Sequence, residues 1–202
     1  MNRIDAELDR NKMDELNDKI IKENIGKEIV LGDGNLNSTI MLIGEAPGAK
    51  EVELKKPFVG QAGKQLQEFL DILELDRDKL YVTNTVKFRP TGKSRRTGSE
   101  VNRAPSKSEI NHFKKYLFEE IDIIRPEVIV TLGNVPLRAV TGLENAKIGD
   151  FHGKKTKVII SNSEYILFPL YHPASVIYNR SLKEEYIGDV RNLKNMLCEI
   201  KI

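Results

Sequence analysis

Short apolar runs alternate with longer amphipathic segments along most of the chain. Four of these runs are rich in β-branched and aliphatic residues and predict strands buried on both faces, at residues 39–44, 80–84, 128–132 and 165–168. Apolar residues at helical spacing predict helices at residues 1–23, 61–73, 106–124, 135–142 and 183–199. The pattern therefore indicates strands that alternate with helices.

This alternation predicts an α/β fold. Strands separated by helices pair in parallel through right-handed crossovers, with helices on both faces of the sheet. We expect a three-layer α/β/α sandwich around a central four-stranded parallel sheet, formed by residues 1–202 as one domain. Ligands bind such sheets beyond the carboxyl ends of the strands. The segments that leave those ends are residues 45–48 (EAPG), Asn84, residues 133–134 and residues 172–173.

Composition narrows the classes of function. The chain has 202 residues, of which 40% are hydrophobic and 31% charged, and no apolar run reaches the length of a membrane span. The N-terminal segment is charged throughout and has no apolar core of a signal peptide, so we expect a cytoplasmic protein, with a monomer as the default state. Cys198 is the only cysteine, which excludes an internal disulfide and a metal centre built from several thiolates.

Positive charge is concentrated in one segment. The whole chain carries a net charge of +2, yet residues 87–107 contain a single acidic residue, Glu100, among many basic ones. The rest of the chain is therefore net acidic. The basic residues of the segment are Lys87, Arg89, Lys93, Arg95, Arg96, Arg103 and Lys107.

Residues 44–51 (GEAPGAKE) and 57–63 (PFVGQAG) closely resemble the first motif of the family 4 uracil-DNA glycosylases. The resemblance continues, in order and at family-like spacing, through residues 82–90 (VTNTVKFRP), 125–126, 132–133, 151–154 (FHGK) and 171–174 (YHPA). The first motif is long and specific, whereas HPA alone is weak. The resemblance implies a monofunctional enzyme that flips uracil out of DNA and hydrolyses its N-glycosidic bond in base excision repair.

Two departures from the family pattern bear on this interpretation. Family members hold a [4Fe–4S] cluster with four cysteines, but Phe88 and Phe113 stand at the third and fourth ligand positions. We therefore expect no cluster and no other cofactor, with apolar packing in the cluster's place and the chemistry retained. The loop at residues 91–105 also looks longer than usual. A related family captures uracil covalently through a histidine in a basic insertion near this point, but residues 93–97 (KSRRT) contain no histidine.

The resemblance implies roles for three pocket residues. Phe58 is expected to stack on the uracil face, and Asn84 to donate to O4 and accept from N3–H. His172 is expected to hydrogen-bond O2 and stabilise the negative charge that grows there, either as a neutral donor or as a cation. Each has a structural alternative, since phenylalanines usually pack in cores and asparagines often form turns.

The residue that orients the attacking water is less defined. The best-known uracil-DNA glycosylases have an aspartate where this chain has Ala46, so the remaining carboxylates are Glu45 and Glu51. The resemblance favours Glu51 for positioning water and stabilising the cationic sugar, whereas for Glu45 bracing the loop is an equal alternative. Backbone amides of Glu45, Ala46 and the turn at Gly48 are expected to complete the uracil pocket.

We expect the basic segment to contact DNA phosphates, although a charge run is often only solvated surface. The family also places a wedge, which enters the vacated base stack, near residues 176–180. The residues predicted to contact DNA are Lys87, Arg89, Lys93, Arg95, Arg96 and Arg180.

Three other functions remain open. Residues 60–64 (GQAGK) suggest a nucleotide-binding enzyme, but their spacing does not fit a phosphate-binding loop. A catalytically silent protein that binds DNA or uracil is a second alternative, because the cluster ligands have been replaced. A glycosylase for another deaminated base is the third.

Overall fold

A mixed sheet with helices on both faces organises the chain. The computed structural model describes residues 3–176 and 180–202. The helices are α1 (Arg3–Glu23), α2 (Ala49–Leu54), α3 (Gln61–Leu73), α4 (Lys107–Ile124), α5 (Asn134–Thr141), α6 (Ile148–Phe151), α7 (Pro173–Val176) and α8 (Arg180–Glu199). The strands are β1 (Asp33–Gly34), β2 (Ile40–Gly44), β3 (Leu80–Asn84), β4 (Thr91–Lys93), β5 (Glu100–Asn102), β6 (Val128–Leu132), β7 (Thr156–Ile160) and β8 (Ser163–Leu170). A turn of 3-10 helix, Arg77–Lys79, precedes β3.

The predicted parallel sheet is confirmed. The strand order is β1-β3-β2-β6-β8-β7, and the four central strands β3, β2, β6 and β8 pair in parallel. Two short antiparallel strands, β1 and β7, extend this sheet at its edges. Neither was predicted, because β1 has only two residues and β7 is half exposed, so that no continuous apolar run marks it.

Alternate residues of the central strands point into two apolar cores, one on each face of the sheet. With helices covering both cores, the fold is a three-layer sandwich. On β2, Met41 and Ile43 pack against α1, α4 and α5, whereas Ile40 and Leu42 pack against α3 and α8. All four side chains are at most 3% exposed. Because both faces are covered, the central strands are mainly apolar. None of the described helices has the length and apolarity needed to cross a bilayer.

Aromatic packing occupies the region where the family pattern would place cluster ligands. The Phe88 and Phe113 ring centroids lie 5.7 Å apart, Phe113 is fully buried, and the Lys27 ammonium lies 4.6 Å from the Phe88 centroid. His112 Nε2 lies 2.9 Å from Asn24 Oδ1, which ties α4 to the end of α1. Phenyl rings are not ligands for iron, so these residues do not fit a cluster. Elsewhere among the described residues, no group of three or more His, Cys, Asp or Glu side chains could hold a metal ion.

Phe113→Ala should lower the free energy of unfolding by about 3–5 kcal/mol, because Phe113 is packed in the core and its removal leaves a cavity there. Urea denaturation measures this change. Phe118→Ala is the matched control, because Phe118 lies on the same helix but is only partly buried. Equal losses of stability in the two variants would contradict a packing role specific to Phe113.

Candidate active site

A cleft of two adjoining cavities runs along the carboxyl ends of the central strands. The first cavity measures about 290 Å³ and the second about 350 Å³, and both are lined by Ala46, Asn102 and His172. The first also contains Phe58, Asn84, Glu51 and Gly48. The second contains Glu45, Arg103, Gly133, Asn134 and Tyr171. The structure therefore brings all of the predicted pocket residues to one edge of the sheet.

Phe58 reaches the first cavity from a strained loop. Its φ of 53° is left-handed, a conformation that costs free energy and persists only where its surroundings enforce it. The Arg77 guanidinium provides that restraint, since it donates to the carbonyls of Phe58 at 3.1 Å and Pro57 at 2.7 Å. The ring is 4% exposed, so Phe58 both packs in the core and forms a wall of the cavity.

Asn84 is the last residue of β3, and its side chain lines the same cavity as Phe58. The register pairs Asn84 with Gly44, the last residue of β2. A Cβ atom on Gly44 would lie 2.6 Å from Phe58 Cζ and would also collide with Asn84 Oδ1. The absence of a side chain at Gly44 therefore lets the aromatic ring and the amide approach each other.

His172 follows β8 and is held as a neutral hydrogen-bond donor. The Ala174 backbone N–H donates to Nδ1 at 3.1 Å, so the ring proton of the neutral form lies on Nε2. Burial lowers the pKa of His172 below its usual value of 6.5. The sequence left open whether His172 acts as a neutral donor or as a cation. These contacts favour the neutral donor near pH 7.

Glu51, and not Glu45, is the glutamate that braces the loop. Glu51 is 6% exposed and accepts from the backbone N–H groups of Gly48 at 3.1 Å, Val59 at 3.2 Å and Gly60 at 2.8 Å. It thus ties the EAPG loop to the loop that carries Phe58, a bracing role that the sequence offered as an alternative for Glu45. Glu45 instead lines the second cavity, and burial raises its pKa.

The prediction that Lys87 contacts DNA is wrong. Its side chain is completely buried and ion-paired with Glu120, so no phosphate can reach it. The rest of the basic segment is also partly neutralised, because three other residues pair with carboxylates: Arg89 with Glu100, Arg103 with Glu109, and Lys107 with Glu144.

The charge that remains available to a ligand lies on the hairpin of β4 and β5. Lys93, Arg95 and Arg96 are exposed, and within the described part of the chain none of the three has a carboxylate partner. Arg180 begins α8, but its side chain lies outside the described residues, as do residues 177–179. Val176 is buried against α3 and α8 and is not available as a wedge.

Asn102 and Arg77 are site residues that sequence reasoning missed. Asn102 ends β5, lines both cavities, and accepts from Arg89 Nε at 2.7 Å through Oδ1. That bond leaves the Asn102 amide N–H groups to face the cleft. Its position depends on the fold of the hairpin, and no sequence pattern distinguishes an asparagine inside a basic loop as a site residue. Arg77, which restrains Phe58, lies outside every motif.

A family model and several relatives match this chain. The model of the uracil DNA glycosylase superfamily matches residues 31–192. Three proteins named type-4 uracil-DNA glycosylase are similar to the chain. The one from Saccharolobus solfataricus is 38% identical over 85% of this chain and 77% of its own length. Those from Sulfurisphaera tokodaii and Pyrobaculum aerophilum are 37% and 35% identical over 83% and 81% of this chain, and 74% and 81% of their own lengths. The chain belongs to the uracil DNA glycosylase superfamily and, within it, to the type-4 family.

The tautomer of His172 can be measured directly. Long-range ¹H–¹⁵N correlation spectra at pH 7 should show a neutral ring with its proton on Nε2, because Nδ1 is already an acceptor and burial lowers the pKa. Since the shift is downward from 6.5, the ring should gain its second proton only as the pH falls below that value. An imidazolium signal from His172 at pH 7 would contradict the assignment.

Proposed function

We propose that this protein is a uracil-DNA glycosylase, which binds an extruded uracil in the first cavity and hydrolyses its N-glycosidic bond. The observation that carries the proposal is the convergence of Phe58, Asn84 and His172 on that cavity. An aromatic face, an amide and a neutral imidazole donor are the groups needed to stack uracil, read its polar edge and stabilise its anion. The names of the relatives support the same substrate.

The reaction follows from where charge develops. As the bond between the sugar C1′ and uracil N1 breaks, its electron pair leaves with the base, and negative charge grows on O2. We propose that His172 Nε2–H donates to that oxygen, while the Asn84 amide accepts from N3–H and donates to O4. Water then adds hydroxyl to C1′ and its proton passes to the uracil anion, so the products are free uracil and an abasic site.

Glu51 remains our proposal for the residue that orients the water. Its carboxylate lines the first cavity, and the three backbone donors fix its direction. In the same proposal the fixed carboxylate stabilises positive charge on the sugar. Asn102 adds a polar group between the two cavities, and we include it as a second group that holds the water.

An excision assay tests the proposed function. A labelled oligonucleotide with a single uracil is incubated with the protein and treated with alkali, which cleaves abasic sites. Scission with uracil, but not with hypoxanthine or a thymine mismatch, is the expected result. Binding without scission would favour the catalytically silent homologue, and scission only with another base would favour the third alternative. The cytoplasmic location and the monomeric state stay predictions from the sequence.

Removal of either polar pocket group should slow uracil release. Asn84→Ala and His172→Ala should each reduce the single-turnover rate by on the order of 100-fold, as removal of a preorganised donor does in other enzymes. His112→Ala is the control, because this histidine contacts Asn24 and the aromatic cluster on the α1–α4 face. Near-normal rates in both pocket variants would discredit the pocket.

The unpaired charges of the hairpin should set the salt dependence of DNA binding. Arg95→Ser/Arg96→Ser should weaken binding to all duplex sequences and reduce the slope of log affinity against log salt by about 2, close to one unit for each phosphate that is no longer neutralised. Fluorescence anisotropy at several salt concentrations measures this slope. Lys12→Ser/Lys22→Ser removes the same charge from α1 and should leave the slope unchanged. Equal slopes for the hairpin variant and the wild type would refute phosphate contact there.

A further inference from the structure

A lysine and a glutamate form an ion pair that is completely closed off from solvent beside Asn84. Lys87 Nζ lies 2.5 Å from Glu120 Oε2, and both side chains are 0% exposed. Lys87 lies in the turn after β3, whereas Glu120 belongs to α4, on the sheet face that α1 also covers. Burial lowers the pKa of Lys87, and the carboxylate opposes this shift.

Every N–H group of this ammonium has an acceptor. Besides Glu120, Nζ donates to Thr83 Oγ1 at 2.5 Å and to the Asn84 carbonyl at 2.9 Å. The Thr83 hydroxyl in turn donates to Glu120 Oε2 at 3.1 Å. An ammonium has three donors, so the network is complete and needs no further ligand.

Stability alone does not account for such a pair. Desolvation of two charges is expensive, and well-packed apolar residues of similar volume usually give an equally or more stable core. What apolar residues cannot do is donate a hydrogen bond to the Asn84 carbonyl. That carbonyl lies at the end of β3, where the paired register with β2 stops.

The peptide group that follows Asn84 is therefore held from both sides. Its N–H, which belongs to Thr85, donates to the Gly44 carbonyl at 2.8 Å, and the Thr85 hydroxyl donates to the same oxygen at 2.9 Å. Its carbonyl accepts from Lys87. These contacts restrain the peptide plane, and with it the direction of the Asn84 Cα–Cβ bond from which the side chain reaches the cavity.

We propose that Lys87 and Glu120 are positioning residues for the Asn84 amide: they hold the strand-end peptide so that this amide meets the polar edge of uracil. Neither residue lines the first or the second cavity, so both act through Asn84 and not on the substrate. The inference rests on the proposed function, because it assigns the pair a role in uracil recognition.

The double variant Lys87→Met/Glu120→Leu tests the inference. It replaces the pair by apolar side chains of similar volume and leaves no buried charge behind. The single-turnover rate of uracil release should fall by on the order of 10- to 100-fold, the scale expected for a misplaced catalytic group. Inhibition by free uracil should weaken by about tenfold, close to the effect of removing one hydrogen bond. Affinity for a uracil-free duplex should change by less than about twofold, since phosphate contacts are retained.

Asp9→Leu/Arg125→Met is the matched control. It removes another ion pair, in which Asp9 is buried and Arg125 follows the last residue of α4, and neither residue lines the cleft. This variant should release uracil, and be inhibited by it, as the wild type is. A purely structural role for Lys87 and Glu120 predicts that both double variants behave alike.

The outcomes separate the inference from the proposed function. A folded Lys87→Met/Glu120→Leu variant with a rate within about threefold of the wild type overturns the inference alone. A wild type that releases no uracil overturns the proposed function and the inference with it. If the double variant does not fold, a comparison of Thr83→Val with Thr83→Ser tests the inference instead, because only serine keeps the hydroxyl that contacts Lys87 and Glu120. The valine variant should then be slower and less sensitive to free uracil, and equal behaviour of the two variants overturns the inference.

Discussion

The register that sets Gly44 beside Asn84 is the constraint on which the candidate site depends. Because Gly44 has no side chain, the Phe58 ring and the Asn84 amide can occupy the space in front of it. Parallel pairing of β2 and β3 brings the two strand ends to the same level, and the next two strands place Gly133 and His172 along the same edge. The sheet thus defines the position of the cleft, and the loops supply its groups.

Preorganisation is the common property of those loops. The Glu51 carboxylate accepts hydrogen bonds from three backbone N–H groups of two loops. Arg77 restrains the strained Phe58, and the Ala174 N–H fixes the His172 tautomer. Groups held in this way need little reorganisation when charge develops on a leaving base. The aromatic packing around Phe113 lies on the α1–α4 face, and neither Phe88 nor Phe113 lines the cleft.

Much of the fold and the membership of the pocket could be predicted from the sequence, because buried parallel strands read as continuous apolar runs and strand ends carry the ligand groups. The predicted bounds of β3, β6 and α3 match the structure. The role of Lys87 could not be predicted, because counting charges along the chain does not reveal that Glu120 meets it inside the fold. The bracing role of Glu51 could not be predicted either, because it depends on where the Val59 and Gly60 amides point. Asn102 was missed because only the folded hairpin brings it to the cleft.

Uracil recognition, as proposed here, requires that the base occupy the first cavity, between the Phe58 ring and the Asn84 amide. A crystal structure of the protein with free uracil, or with the uracil-containing strand bound to the slower His172→Ala variant, tests this most directly. We expect a base stacked on Phe58, with Asn84 hydrogen-bonded to O4 and N3 and, in the wild type, His172 Nε2 hydrogen-bonded to O2. Uracil bound elsewhere, or a cavity closed by the protein's own side chains at saturating uracil, would contradict it.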